Sequence, residues 1–182
     1  MSKNSDPEKC YNNYIKNMIN IDKTSFFWQY LSEGQKGLIE EGLYLLEDTK
    51  NHRDARITDY SYLVFPFAKA YEGFLKKLFL DLGFISQAEY EGEHFRIGKA
   101  LNPHLEKRLR KWSVYDKIVE RCGNRQLADM LWNVWRRGRN QVFHYFAHNF
   151  KALTLSEAEE IIDHILSVME KFISECKVAD VL

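Results

Sequence analysis

A chain of 182 residues, 45% hydrophobic and 29% charged, has the composition of one soluble domain that can bury a core without metals or disulfides. Cys10, Cys122 and Cys176 form no CxxC pair, which argues against a secreted disulfide framework and favours a reducing, cytoplasmic compartment. The polar segment 1–7 lacks the apolar centre of a signal peptide. Charged residues interrupt the most apolar run, 60–83, so we expect no membrane span.

Helical signals dominate the first half of the sequence, where apolar residues recur at spacings of three and four behind capping residues. The predicted elements are a helix from Pro7 to about Ile19, a short aromatic helix within Thr24–Leu31, a long helix after the Ser32–Gln35 capping box, and a helix from about Asp59 to Leu82. Pro66 should kink that last helix or mark its start. Gly83 is predicted to cap its C-terminus.

The second half carries shorter patterns. The predicted elements are a loop over 84–102 with one short helix near Phe95–Leu101, helices restarting at Asn102–Pro103 and at Ser113, a helix over Gln126–Arg137, a helical segment over Asn140–Phe146, and a final helix from the Ser156–Glu159 capping box to about Cys176. Gly123 and Gly138 should interrupt the helices that precede them.

The sequence contains no strand-like alternation of polar and apolar residues. We therefore predict an all-α bundle of four or five main helices with short extra helices. Residues 1–56 should form an N-terminal helical extension that packs on a core bundle of residues 57–182. The two parts are expected to make one compact unit.

The stretch Arg136–Phe146 mixes arginines and aromatic residues in a way that neither a solvated helix nor a buried helix normally does. On an unbroken helix Asn140 would share a face with His144, whereas Arg139 would be rotated from His144 by about 140°. A turn at Gly138 would allow Arg139 to approach His144 from the start of a new helix.

An arginine and a histidine held together suit the cleavage of RNA without a metal ion. Histidine changes charge near neutral pH, so His144 can take a proton from a 2′-hydroxyl or give one to the leaving oxygen. The Arg139 guanidinium can bind the scissile phosphate through two hydrogen bonds and offset charge in the transition state. Attack by the 2′-hydroxyl would leave a 2′,3′-cyclic phosphate.

The zero net charge conceals a basic segment. Between Arg96 and Arg139 the sequence has twelve Lys or Arg residues and four acidic residues, a local balance of +8. Such a segment can bind a polyanion such as RNA, although a solvated helical face is the more common explanation. The candidate RNA-binding residues are Arg136, Arg137, Lys107, Arg108, Arg110 and Lys111.

Two other functions fit parts of the same sequence. A non-catalytic helical adaptor that binds a partner protein or nucleic acid would use the basic segment and the aromatic cluster Phe26–Trp28. A metal-dependent hydrolase would use His144 and His148, which are four residues apart, but a third ligand is not evident in the sequence.

The motif formed by Arg139, Asn140 and His144 resembles that of the HEPN superfamily. These are helical-bundle proteins whose ribonuclease members carry an arginine, a polar residue, and a histidine four to six residues after the arginine. The position late in a helical bundle, at the start of a helix and with one more helix after it, also resembles that family.

A second match lies in the stretch Phe65–Lys77, which is similar to an earlier core helix of the RNase LS-type toxins. In that family a basic residue and a glutamate three positions later complete the site. Lys69 and Glu72 occupy these places here, about one helical turn apart. Lysine replaces the family's usual arginine, which keeps the charge but loses the bidentate geometry.

The resemblance covers about Tyr60–Phe172 and implies an HEPN-like bundle with Arg139, Asn140, His144, Lys69 and Glu72 as catalytic residues. It implies a metal-independent endoribonuclease that needs no cofactor and acts as a toxin, in phage defence or with an antitoxin protein. Family members act as homodimers whose two motifs face each other. Some carry a modified tyrosine two residues after the histidine. That position is Phe146 here, so control by this modification is not expected.

Overall fold

Helices make up all the regular structure in the computed structural model, which describes residues 19, 21–52, 57–145, 151–176 and 178. In chain order the elements are α1 Phe26–Tyr30, α2 Glu33–Asn51, α3 Ser61–Asp81, α4 Gln87–Glu91, α5 Ile97–Ala100, a 3₁₀-helix Lys107–Trp112, α6 Val114–Cys122, α7 Arg125–Trp135, a π turn Arg136–Asn140 and α8 Leu155–Glu175. Five of these helices have nine residues or more. The all-α prediction is confirmed, whereas the helix predicted from Pro7 to Ile19 lies almost wholly outside the described residues.

Side-chain caps fix where several helices begin. The Ser32–Gln35 capping box starts α2, with each side chain bonded to the other residue's backbone N–H, and Ser113 accepts from the N–H of Asp116 at the start of α6. Both caps were predicted from the sequence. These caps stabilise the helices because they accept hydrogen bonds from backbone N–H groups that have no partner inside the helix.

The start of the last helix differs from the prediction by two residues. The capping box is Thr154 with Glu157, not Ser156 with Glu159. The sequence satisfies the same pattern twice, and a tertiary contact selects the first copy. The backbone N–H of Leu153 donates to the Asp59 carboxylate at 3.0 Å, which holds the chain just before Thr154.

More buried residues lie in α3 than in any other described helix. It packs against α2, α8 and the π turn. Its phenylalanines at 67, 74 and 79 are fully buried, and the Tyr71 hydroxyl donates to the Leu131 carbonyl of α7 at 2.8 Å. Pro66 is buried inside α3 and does not mark its start. Gly83 follows the helix with a φ of 69°, as its predicted role as a cap requires.

The segment between α3 and α6 differs from the prediction in two places. A short helix, α4, begins at a Ser86–Glu89 capping box inside the segment predicted to be a loop. Asn102–Pro103 does not start a helix, since the chain turns there and becomes regular only at Lys107. The short helix predicted near Phe95–Leu101 is present as α5.

Two of the three cysteines are joined, which the sequence did not predict, since their spacing favoured a reducing compartment. Cys122 at the end of α6 is disulfide-bonded to Cys176 at the end of α8, with a Cα–Cα distance of 5.2 Å. The residues are 54 positions apart, so their proximity depends on the tertiary packing and not on any local spacing. Across the described ranges, no helix is both long enough and apolar enough to cross a membrane.

Candidate functional site

The motif lies at the C-terminal end of a helix, not at the start of one. After Trp135 the backbone widens into the π turn, and the N–H of Gln141 donates to the carbonyl of Arg136, five residues back, at 2.9 Å. Residues 141–143 then form a turn, so the helix expected over Asn140–Phe146 is wrong in its described part. Isolated π turns are rare and are found frequently at functional sites.

Gly138 serves close packing within the π turn and does not interrupt the chain. It is buried, and a Cβ placed on it would lie 3.1 Å from Cδ1 of Ile165 and 3.4 Å from Cγ2 of Ile161, both in α8. Glycine therefore allows the π turn to approach α8 closely. The prediction that Gly138 would turn the chain into a new helix is wrong.

The π turn brings Arg139 to the glutamate predicted on a different helix. Arg139 Nε lies 3.0 Å from Oε1 of Glu72, in the middle of α3. Both side chains are partly exposed, Arg139 at 40% and Glu72 at 34%, so solvent screens the pair and it adds less than about 1 kcal/mol to stability. The contact therefore positions the guanidinium more than it holds the fold together.

Asn140 and His144 form the second contact of the motif. His144 Nε2 lies 3.2 Å from the side-chain oxygen Oδ1 of Asn140. An amide oxygen can only accept, so the two groups form a hydrogen bond when Nε2 carries the hydrogen. The predicted closeness of Asn140 and His144 is thus present, although a turn and not a continuous helix produces it.

Around this pair the surface combines one more cation with aromatic rings. Lys69 is exposed on α3, one turn before Glu72. Phe65, a further turn back, meets Phe143 edge to face with ring centroids 5.8 Å apart, and both rings are partly exposed. The predicted residues of α3 and of the motif therefore border one surface.

Arg136 and Arg137 are exposed, as expected for residues that face RNA or solvent. Arg137 also lines a cleft of about 240 Å³ together with Glu160 and His164 of α8, which the sequence did not single out. Burial lowers the pKa of His164, and the nearby Arg137 guanidinium lowers it further. The sequence does not predict that Arg137 lies near His164, because the pattern around His164 indicates only a helix.

The other four basic candidates lie on the 3₁₀-helix, and three of them have local partners. Arg108 pairs with Glu106 at 2.7 Å, and Arg110 pairs with Asp116 at 2.5 Å. Lys111 Nζ lies 4.1 Å from the ring centroid of Trp112. Lys107 is exposed. Two of these four charges are therefore partly neutralised, which weakens their case as direct phosphate ligands.

The aromatic cluster considered for an adaptor belongs mainly to the core. Phe27 and Trp28 are buried, and only Phe26 is substantially exposed. Within the described ranges, no group of three or more His, Cys, Asp or Glu residues is arranged to hold a metal ion. His148, the second histidine of the metal hypothesis, lies outside those ranges.

Comparisons with protein-family models, with curated proteins and with solved structures found no match to this chain.

Proposed function

We propose that this chain is a metal-independent endoribonuclease of the HEPN type, which cleaves RNA by attack of a 2′-hydroxyl and leaves a 2′,3′-cyclic phosphate. The observation that supports it most is the ion pair between Arg139 and Glu72. The two residues come from distant parts of the sequence, and the resemblance implies a role in the site for both.

Glu72 is assigned the task of holding Arg139 ready for the phosphate. A guanidinium has five N–H donors, so it can bind two phosphate oxygens while Nε stays beside the carboxylate. An arginine that is already oriented loses less conformational entropy when it binds. Positive charge on Arg139 then offsets the charge that develops on the phosphate in the transition state.

His144 is assigned the proton transfer. His144 would take the proton from the attacking 2′-hydroxyl, and the 5′-oxygen that leaves as its bond to phosphorus breaks would receive a proton from the charged ring or from water. Asn140, whose side-chain oxygen lies 3.2 Å from Nε2, would hold the ring in its orientation. Lys69 supplies a further positive charge on the neighbouring turn of α3, where it can bind an adjacent phosphate.

The biological setting belongs to the same proposal. A toxin acting in phage defence or under the control of an antitoxin protein would cleave cellular RNA, which places it in the cytoplasm. The Cys122–Cys176 disulfide is more typical of oxidising compartments. Fractionation of the native host would decide between the two locations.

A homodimer is proposed as well, with Phe65 and Phe143 beside its interface, and analytical ultracentrifugation would test it.

The decisive experiment is RNA cleavage in the presence of EDTA. Wild-type protein should give fragments with 2′,3′-cyclic phosphate ends, and His144→Ala should lower the rate by about 10²- to 10⁴-fold. His52→Ala is the matched control, since His52 is exposed at the end of α2 and should leave the rate unchanged. Full activity in His144→Ala would refute the assignment.

Glu72→Ala separates a role in the site from a role in the fold. The partly exposed ion pair is worth less than about 1 kcal/mol, so thermal unfolding should change little. Cleavage should nevertheless fall, because Arg139 loses its orientation. Arg125→Ala provides a control, since it removes another exposed helical arginine that faces Asp129.

The alternative is a non-catalytic adaptor, and the exposed rings of Phe65, Phe143 and Tyr145 favour it, because exposed aromatic patches often bind partners. Wild-type protein that binds RNA or a partner protein tightly, yet yields no cyclic-phosphate ends, would support the adaptor and contradict the enzyme.

A further inference from the structure

A cavity of about 510 Å³ opens between α4, α5 and the 3₁₀-helix. Its volume falls in the range of sites that bind small ligands, which is about 300 to 1,000 Å³. Its lining is mainly apolar, and none of the lining residues belongs to Arg136–His144. The residues that line it are Ala88, Glu89, Gly92, His94, Phe95, Arg96, Lys99, Ala100, Leu105, Leu109 and Trp112.

One wall of the cavity carries the indole ring of Trp112. In a 3₁₀-helix, side chains three positions apart lie on the same side, so Leu109 and Trp112 line the cavity together. Trp112 leaves 55% of its surface exposed, whereas Trp28 is buried and the remaining two tryptophans, at 132 and 135, pack against the core. An exposed indole at the mouth of a cavity is well suited to stack against a planar ligand.

The rim of the cavity is positively charged. Arg96 and Lys99 line it from the α5 side, and Lys111 lies against the Trp112 ring. The one carboxylate in the lining, Glu89, is already bound to the backbone N–H and hydroxyl of Ser86 at 2.8 and 2.9 Å. These bonds lower the pKa of Glu89, so it stays ionised but is directed to the helix cap. Arg96 donates one N–H to the carbonyl of Glu93 at 2.6 Å, which leaves its other donors and the exposed Lys99 for an anionic ligand.

We propose that this cavity binds one nucleotide, with its base against Trp112 and its phosphate held by Arg96 and Lys99. A planar apolar group joined to an anion is the chemistry that an exposed indole beside two cations selects. The nucleotide is either a free mononucleotide or one unit of a single-stranded RNA. The inference goes beyond the proposed ribonuclease activity and does not depend on it, because the two sites share no residue.

Calorimetric titration at low ionic strength tests the proposal with four defined ligands. These are AMP, UMP, ribose 5-phosphate and a 2′-O-methyl octanucleotide, which has no free 2′-hydroxyl and is not cleaved. Ribose 5-phosphate carries the anion without the base. Binding of a mononucleotide identifies the free nucleotide as a ligand, and binding of the octanucleotide alone identifies RNA as the source.

Variants of Trp112 supply the decisive comparison. Trp112→Ala should weaken binding by about 5- to 150-fold, the range expected when one stacked base loses its platform, whereas Trp112→Phe should keep most of the affinity. Tyr44→Ala, which removes another exposed ring on α2, should bind as wild type does. Circular dichroism verifies that each variant is folded.

Arg96→Ala and Lys99→Ala test the phosphate contact. Each should lower the slope of log affinity against log salt by about one. The proposal is overturned if neither the mononucleotides nor the octanucleotide bind. It is also overturned if ribose 5-phosphate binds as tightly as AMP and UMP, or if Trp112→Ala binds like wild type. None of these measurements involves cleavage, so the proposed ribonuclease activity can fail while this site stands, and the reverse.

Discussion

Replacement of Gly98 by alanine should destabilise the protein, because the ring of Trp135 occupies the space that a Cβ would need. A Cβ at position 98 would lie 2.2 Å from Cη2 and 2.3 Å from Cζ2 of that ring. The ring cannot retreat easily, since it is stacked on Trp132 with centroids 5.4 Å apart. Overpacking of this kind costs about 1 to 3 kcal/mol.

For a chain of this length, 1 kcal/mol changes the Tm by about 2 to 4 °C, so Gly98→Ala should lower it by about 2 to 12 °C. Differential scanning calorimetry measures this directly. Gly37→Ala is the matched control, since nothing lies within 4 Å of a Cβ built there. It should raise the free energy of unfolding by about 0.4 to 1 kcal/mol, because alanine leaves the unfolded chain less conformational freedom than glycine does. A Tm for Gly98→Ala that equals or exceeds that of wild type would refute the reasoning.

A double-mutant cycle isolates the clash itself. Adding Trp135→Leu to Gly98→Ala provides room, so the two substitutions together should cost less than the sum of their separate effects. Trp135 directly precedes the π turn, so displacement of its ring in Gly98→Ala should also move Arg139 and lower the rate of RNA cleavage. If the two changes in the free energy of unfolding are additive, the Trp135 ring and position 98 are not in contact.

Three further perturbations test separate parts of the fold. Tyr71→Phe removes the buried bond to the Leu131 carbonyl and should lower the free energy of unfolding by about 0.5 to 1.5 kcal/mol in urea, with an unchanged slope. Cys176→Ser opens a link across 54 residues and should cost up to about 4 kcal/mol, and wild type in dithiothreitol should match it. The pKa of His164 is lowered, so its contribution to stability is present above about pH 6.5 and is lost as pH falls. His164→Gln should flatten the decline of Tm between about pH 7 and 5.5.

Local chemistry accounts for the parts of the fold that the sequence predicted well. Two serines cap helix starts and two glycines end helices, namely Ser32, Ser113, Gly83 and Gly123. Each acts on backbone groups within a few residues, so its effect can be predicted from a short stretch of sequence. The same reasoning failed at Thr154, because two overlapping capping patterns were available and a contact with Asp59 chose between them.

The predicted site residues meet on a backbone that the sequence did not predict. The resemblance led to Arg139, Asn140, His144 and Glu72, and the structure brings two pairs of them into contact. A rule based on an ideal helix could not predict the π turn, because its five-residue spacing arises where α7 meets α8. Only the position of Ile165 against Gly138 reveals why that turn needs a glycine.

The paired cysteines and the two clefts were missed for a different reason. Cys122 and Cys176, like Arg137 and His164, become neighbours only through the packing of α8 on the rest of the bundle. In the sequence each of these residues has an ordinary local context. Trp112 is similar, since a tryptophan is usually a core residue and only its exposure in the structure marks it out.

The mixture of arginines and aromatic residues in Arg136–Phe146 has a physical explanation in the geometry of the π turn. The turn directs Gly138 to α8 and Arg139 to α3, while Phe143 packs against Phe65. Aromatic and apolar contacts thus fix the backbone on both sides of an ion pair that is too exposed to stabilise the fold by much. Because 40% of the Arg139 side chain is exposed, its guanidinium is accessible to a ligand while it is paired with Glu72. Comparison of Glu72→Ala and Arg139→Ala in cleavage and in thermal unfolding therefore bears directly on the proposed function, because a structural pair would lower both measurements together and a catalytic pair would lower only the first.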